Sequence, residues 1–255
     1  MVVGRATRVL FASGAVLLGA LTLGGCGSAD VEGAPVEREN FAFEGKALTI
    51  DSDNTKLVVT PADVDDVRVE RQIDGWAFLG SGPEPEWKLA DGRLTLRVHC
   101  EAVASSCSGV HRVQVPRGVA VTIDDDNGGV TAEGFATPLK IRSDNGDVRV
   151  HKSTAPLDLH TANGDITVEP DVTAPDVTAR SDNGTVRVSL GAVPRRVETS
   201  TDNGDITVSV PTAEYAVDAT SGNGRVRVDV PRRDAGEGSV RARSDNGDVT
   251  VRTAN

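Results

Sequence analysis

The sequence predicts an all-β protein built as a β-solenoid, a single-stranded β-helix of Asn-Gly coils about 18–20 residues long, with a less regular β cap on its N-terminal side. Three observations predict it. The dipeptide Asn-Gly recurs seven times, at Asn127, Asn145, Asn163, Asn183, Asn203, Asn223 and Asn246, spaced by 18, 18, 20, 20, 20 and 23 residues. Each copy lies between two short apolar–polar runs, the second reading Val148/Val150, Ile166/Val168, Val186/Val188, Ile206/Val208, Val226/Val228 and Val249/Val251. Between those apolar pairs stand Arg149, Thr167, Arg187, Thr207, Arg227 and Thr250, an alternation that keeps like charges apart only if successive repeats are stacked neighbours. An antiparallel meander of Asn-Gly hairpins is the competing reading. It would set Asp144 against Asp147 in one hairpin, so the solenoid is preferred.

In chain order, residues 1–25 are a targeting segment. Arg5 and Arg8 form a basic start, and residues 9–23 are a mostly apolar run too short to span a bilayer comfortably. The run ends in Leu23-Gly24-Gly25-Cys26, which resembles the lipobox of bacterial lipoproteins, although Gly24 stands where Ala, Ser or Thr is more usual. The resemblance implies cleavage before Cys26, acylation of its sulfur, and a lipid anchor (palmitate-type chains) on the extracytoplasmic face of a bacterial membrane. Such an anchor holds without a transmembrane helix. Residues 26–39, rich in Gly, Ala, Ser and acids and without periodicity, are expected to be a flexible acidic tether.

The rest of the chain is long enough to bury a real core. Aromatic residues make up only 3% of the sequence, so that core must be built from Val, Ala, Leu and Ile. The net charge is −11, and losing Arg5 and Arg8 with the leader makes it −13, which argues against nucleic acid and anionic headgroups as partners. Cys100 and Cys107 are an even pair in an exported chain, and a disulfide closing residues 101–106 is expected. A zinc site completed by the flanking His99 and His111 is the alternative.

Residues 40–118 form the expected N-terminal β cap with its Cys pair. Leu48-Thr49-Ile50, Lys56-Leu57-Val58-Val59, Val67-Arg68-Val69, Leu94-Thr95-Leu96-Arg97-Val98 and Val113-Gln114-Val115 read as strands. Asp51-Ser52-Asp53-Asn54-Thr55 is a worn copy of the repeat turn, with Thr where Gly should stand. Residues 75–87 hold both tryptophans, Trp76 and Trp87, and are read as a hydrophobic plug over the open end of the stack in preference to a binding lip.

Residues 119–255 are the solenoid repeats. The Gly after each Asn is expected to supply a positive φ, and the Asn column to hydrogen-bond from coil to coil. Ser143, Thr161, Ser181, Thr201, Ser221 and Ser244 precede the turns as hydroxyls able to bond the bent backbone. The inward positions are small, which implies a thin, flattened interior, and Pro156, Pro175, Pro194, Pro211 and Pro231 fall in the opposite turns.

Repeated Ser/Thr-Asp-Asn-Gly-Asp-Val/Ile-x-Val units, preceded by a Cys pair and Val113-Gln114-Val115-Pro116-Arg117-Gly118, resemble the bacterial putative-adhesin domains of unknown function, a family of exported β-solenoids. The likeness covers most of residues 40–255. It implies the fold and an envelope location and supplies no catalytic residue.

No P-loop, nucleophile elbow or zinc-protease helix occurs, and no repeat breaks the pattern with a convergent acid, base and pocket, so no enzyme and no cofactor are expected. His160 reads as a solvated surface residue. Asp144, Asp182, Asp202 and Asp245 share one turn column and are weak calcium candidates, interrupted by Ala162 and Gly222; a structural turn role is preferred. The expected function is that of a non-enzymatic adhesin, scaffold or sensor at the envelope acting through protein contacts, with a small-ligand or calcium binder as the alternative. The C-terminal coil around Val249-Thr250-Val251 is expected to leave an open edge where a protein partner or a second copy pairs.

Overall fold

The computed structural model describes residues 31–80, 82–99, 102–234 and 236–254. The expected leader and Cys26 lie outside them. The N-terminal third forms strands β1 (Val36–Phe41), β2 (Ala47–Ser52), β3 (Lys56–Ala62), β4 (Val67–Gly80), β5 (Glu84–Ala90), β6 (Arg93–His99) and β7 (Ala102–Pro116). Coils of two strands follow, β8 (Ala120–Asp125) with β9 (Val130–Glu133), β10 (Leu139–Ser143) with β11 (Val148–His151), and β12 (Leu157–Asn163) with β13 (Ile166–Val168). Then come β14 (Asp176–Asn183) with β15 (Val186–Ser189), and β16 (Arg196–Asn203) with β17 (Ile206–Val210). The last two are β18 (Tyr215–Asn223) with β19 (Val226–Asp229), and β20 (Gly238–Asn246) with β21 (Val249–Thr253).

The strands form two facing sheets, so the solenoid is two-sided. The strand before each Asn-Gly turn lies in one sheet and the strand after it in the other, and every repeat pairs in parallel with its neighbours. The meander is thereby excluded. Alternation decides burial. In β14 the inward Val177, Ala179 and Ser181 are buried while Thr178 and Arg180 face outward, and the same beat runs through the stack. Branched and small side chains fill the narrow gap, with Phe135 and Tyr215 the largest side chains fully buried between the sheets.

The N-terminal segment continues these sheets. The β2–β3 and β6–β7 segments are two more parallel coils, to which β1, β4 and β5 add antiparallel strands. The described structure includes residues before residue 40. β1 starts at Val36, and Gln72 donates from Nε2 to the carbonyls of Val31 and Ala34.

Coil order departs from chain order at both ends. The β2–β3 coil sits inside the β6–β7 coil, against β8 and β9. At the far end β20 lies between β16 and β18, and β21 between β17 and β19. This corrects the expectation for the C-terminal coil. Its strands are paired on both edges, so it offers no open edge for a partner or a second copy. The terminal coil is β18–β19, where Val226 is 44% exposed. The outward ladder changes with it. Thr207 has Arg187 on one side and Thr250 on the other, and Arg227 stands beyond Thr250, so Arg and Thr do not alternate strictly.

The role of glycine also differs from expectation. Gly146, Gly164, Gly184 and Gly224 do not adopt left-handed φ values, and Gly204 and Gly247, at 157° and 152°, border on extended backbone. What they share is a close approach of one coil to the next. A Cβ built on Gly184 would lie 1.9 Å from Gly164 O, and one on Gly164 would lie 2.2 Å from Gly146 O. Glycine is required because the neighbouring backbone fills the space a Cβ would take.

Candidate functional site

The turn edge is the most regular surface of the molecule. Asn145 donates from Nδ2 to Oδ1 of Asn127 at 3.0 Å, and the ladder continues through Asn163, Asn183, Asn203, Asn246 and Asn223 at 2.9–3.1 Å. Asn127 donates in turn to Oδ1 of Asp53 at 3.2 Å. Just inside, the hydroxyls of Thr161, Ser181, Thr201, Ser244 and Ser221 each donate to the Gly carbonyl of an adjacent coil at 2.8–3.0 Å. Asp147, Asp165, Asp205 and Asp248 each use Oδ1 to accept a backbone N–H of the next coil at 2.8–2.9 Å. These carboxylates close backbone donors that the turn would otherwise leave open.

The weak calcium candidates lie on this edge with exposed side chains, and Asp245 accepts from Arg243 at 3.0 Å. Among the described residues no three His, Cys, Asp or Glu side chains converge into a set that could hold an ion. The zinc alternative meets the same geometry. His99 ends β6 in one sheet, exposed, while His111 is buried on β7 in the other, with its Nδ1 2.8 Å from Thr55 Oγ1. Burial, with Arg71 adding repulsion, lowers its pKa to about 4, so it is neutral. Cys100 lies outside the described residues, and Cys107 is half-buried on β7, opposite Gly75. His160 is a half-buried member of an outward ladder between Arg142 and Arg180.

At the N-terminal end Trp87 of β5 meets Phe41 of β1 edge-to-face, with ring centroids 6.3 Å apart, and the Arg71 guanidinium lies 3.7 Å from the Trp87 ring centroid. β1 and β5 are the edge strands of opposite sheets, so the aromatic pair closes the gap between them. Trp87 is a packing residue. The Trp76 side chain lies outside the described residues.

Asp125 breaks the hydroxyl column, and sequence reasoning missed it. It is 3% exposed where other repeats carry Ser or Thr, and among the described residues the only hydrogen bond of its side chain is a 3.5 Å contact from Ser143 to Oδ2. Among the described residues its Oδ1 has no partner, and neither has the buried Ser52 Oγ nearby. Burial raises the Asp125 pKa to about 7, helped by the charges of Asp126 and Asp53 against the pull of the Ser52 and Ser143 hydroxyls. The signal was present in Asp124-Asp125-Asp126-Asn127-Gly128, where the residue two before Asn is a carboxylic acid.

Among the described residues no helix is long and apolar enough to cross a membrane. The family described as Toastrack DUF4097 matches residues 86–254. No curated protein matches the chain. A structure described as a putative adhesin from Bacteroides fragilis NCTC 9343 aligns with 86% of this chain and 97% of its own, at 14% identity and a TM-score of 0.51, and shares the fold. A putative cell adhesion protein from Clostridium sporogenes ATCC 15579 is similar over 87% of this chain and 100% of its own, at 10% identity and a TM-score of 0.35. A putative adhesin from Parabacteroides distasonis ATCC 8503 covers 87% and 98%, at 12% identity and a TM-score of 0.36. With its matched segment spanning the β6–β7 coil and all the repeats, about two thirds of the sequence, the chain belongs to the Toastrack DUF4097 family.

Proposed function

We propose that this protein is a lipid-anchored, extracytoplasmic surface module that works without catalysis, an adhesin-like scaffold whose outer faces contact other proteins. The observation that carries the reading is the pair of long polar sheet faces, joined along a turn edge that satisfies its own backbone. Ion pairs cross one of those faces between coils, Lys140–Asp158 at 3.2 Å, Arg241–Asp218 at 3.2 Å and Arg180–Glu198 at 3.8 Å. Pairs this exposed contribute about 0–1 kcal/mol each, so they can be traded for a partner's charges at little cost. The acid excess favours a cationic protein surface as that partner. The Bacteroides fragilis structure, described as a putative adhesin, supports the same class of function.

The anchor in this reading is Cys26 at the end of the leader. In cell fractionation the protein is expected with membranes, and Cys26→Ser is expected to move it to the soluble or unprocessed fraction. Retention of the variant in membranes would remove the anchor, and cross-linking from intact cells that captured no protein would remove the scaffold. The reading also pairs Cys100 with Cys107. Mass spectrometry of the exported protein should find no free thiol at either until reductant is added, whereas two free thiols would refute the bridge.

A further inference from the structure

Asp125 stands at the contact between the β2–β3 coil, on the tether side of the molecule, and the β8–β9 coil, the first of the regular repeats. Elsewhere this contact follows a rule. A Cβ built on Gly184 would lie 1.9 Å from Gly164 O and 3.0 Å from Ser181 Oγ, and that hydroxyl donates to that carbonyl at 2.9 Å. At the joint, a Cβ on Gly128 would lie 2.0 Å from Thr55 O and 3.4 Å from Asp125 Oδ1. Asp125 Oδ1 therefore takes the place of the hydroxyl and Thr55 O that of the glycine carbonyl. A carboxylate there sets acceptor against acceptor, inside the protein. A carboxylic acid restores the donor that Thr161, Ser181, Thr201, Ser221 and Ser244 supply in their own coils.

We propose that the junction between the β2–β3 and β8–β9 coils is a proton-operated joint, closed when Asp125 is protonated and donates to Thr55 O, and loosened when it is ionised. The surroundings resist ionisation. Asp51 and Asp53 face it from the β2 side, Asp124 and Asp126 flank it on its own strand, and Asp144 follows Ser143 on the β10 side. Arg93 and Arg97 of β6 are the nearby cations, and both are engaged by Asp51, at 3.2 and 3.1 Å. His111 touches the joint through Thr55 and is neutral when folded. The raised pKa of Asp125 places the change below neutrality. Opening the joint returns the carboxyl to water and its ordinary pKa of 3.8, so closure is fully favoured below that value and lost as pH rises toward about 7.

The test is hydrogen exchange on the full chain, read at two amides that span the joint. These are Asp126, which donates to Ser52 O at 3.0 Å, and Leu57, which donates to Gly129 O at 2.9 Å. Asp125→Asn carries a donor at every pH. Taking the ratio of wild-type to variant opening removes the opposing titration of His111. That ratio is expected to rise about tenfold per pH unit between pH 4 and pH 7 and then level. Asp125→Ser, which copies the other coils, should behave as Asn does. A ratio that does not change with pH would overturn the joint. So would failure of both variants to fold, since a neutral donor would then not be what the position needs.

Discussion

Gly184→Ala is expected to destabilise the protein by about 3 kcal/mol or more, and Gly184→Val by more still. The expectation does not rest on φ. An added Cβ would sit 1.9 Å from Gly164 O and 2.6 Å from Gly164 C. Both are backbone atoms of a coil held by parallel ladders on either side, so no side-chain rotation can make room. Relief requires coils to separate, which would lengthen the Asn163–Asn183 rung and the Ser181–Gly164 hydrogen bond together. Gly129→Ala is the control. Its nearest atom is Asp147 O at 3.8 Å, so a change within about 1 kcal/mol is expected. Urea denaturation of both variants would decide the matter, and a Gly184→Ala loss under about 1 kcal/mol would mean that the coils do not approach this closely.

Val249→Pro is expected to cost about 3 kcal/mol or more and to release two coils. Val249 is fully buried, pairs with Ile206 on one side and Val226 on the other, and donates from its N–H to Arg225 O at 2.8 Å. An edge strand could lose one donor and survive. A strand in the middle of a ladder cannot. Because β18 and β19 have β20 and β21 as their named sheet partners, loss of the inner coil removes the attachment of the outer one. Hydrogen exchange should show residues 215–229 losing protection together with residues 238–253, while β14 to β17 stay protected. Continued protection of residues 215–229 would contradict the interleaved order.

Much of this architecture could be read from the residues because the repeat writes it many times over. Asn at seven equivalent positions, small hydroxyls two residues before six of them and apolar pairs after each fix parallel stacking, register and the inward face. The order of the coils is not written that way. Nothing in Ser244-Asp245-Asn246-Gly247 distinguishes a coil that follows its predecessor from one inserted before it, because equivalent residues fit either slot. The one hint is the longer interval from Asn223 to Asn246, whose extra residues let the chain step back at 230–237. Gly after Asn was legible as necessary, but its cause was not, since a turn requiring positive φ and a backbone contact leave the same residue. Asp125 was hidden by its neighbours, being one of three consecutive aspartates on an acidic edge where only depth sets it apart.

The asparagine ladder has a direction. Every amide donates toward the N-terminal end of the stack, from Asn223 through Asn246 and Asn203 to Asn127, so the C=O and N–H dipoles add along the stack as peptide dipoles do along a helix. The positive pole of this row falls where Asn127 meets the Asp53 carboxylate. The negative pole is the Oδ1 of Asn223 on the outermost coil, and Asn223 stands two residues before Arg225, whose guanidinium is turned to Asp248. The row thus adds a dipole along the stack that comes from neutral side chains. At the outer end the row presents an acceptor, the Asn223 Oδ1, and at the inner end a donor, the Asn127 amide.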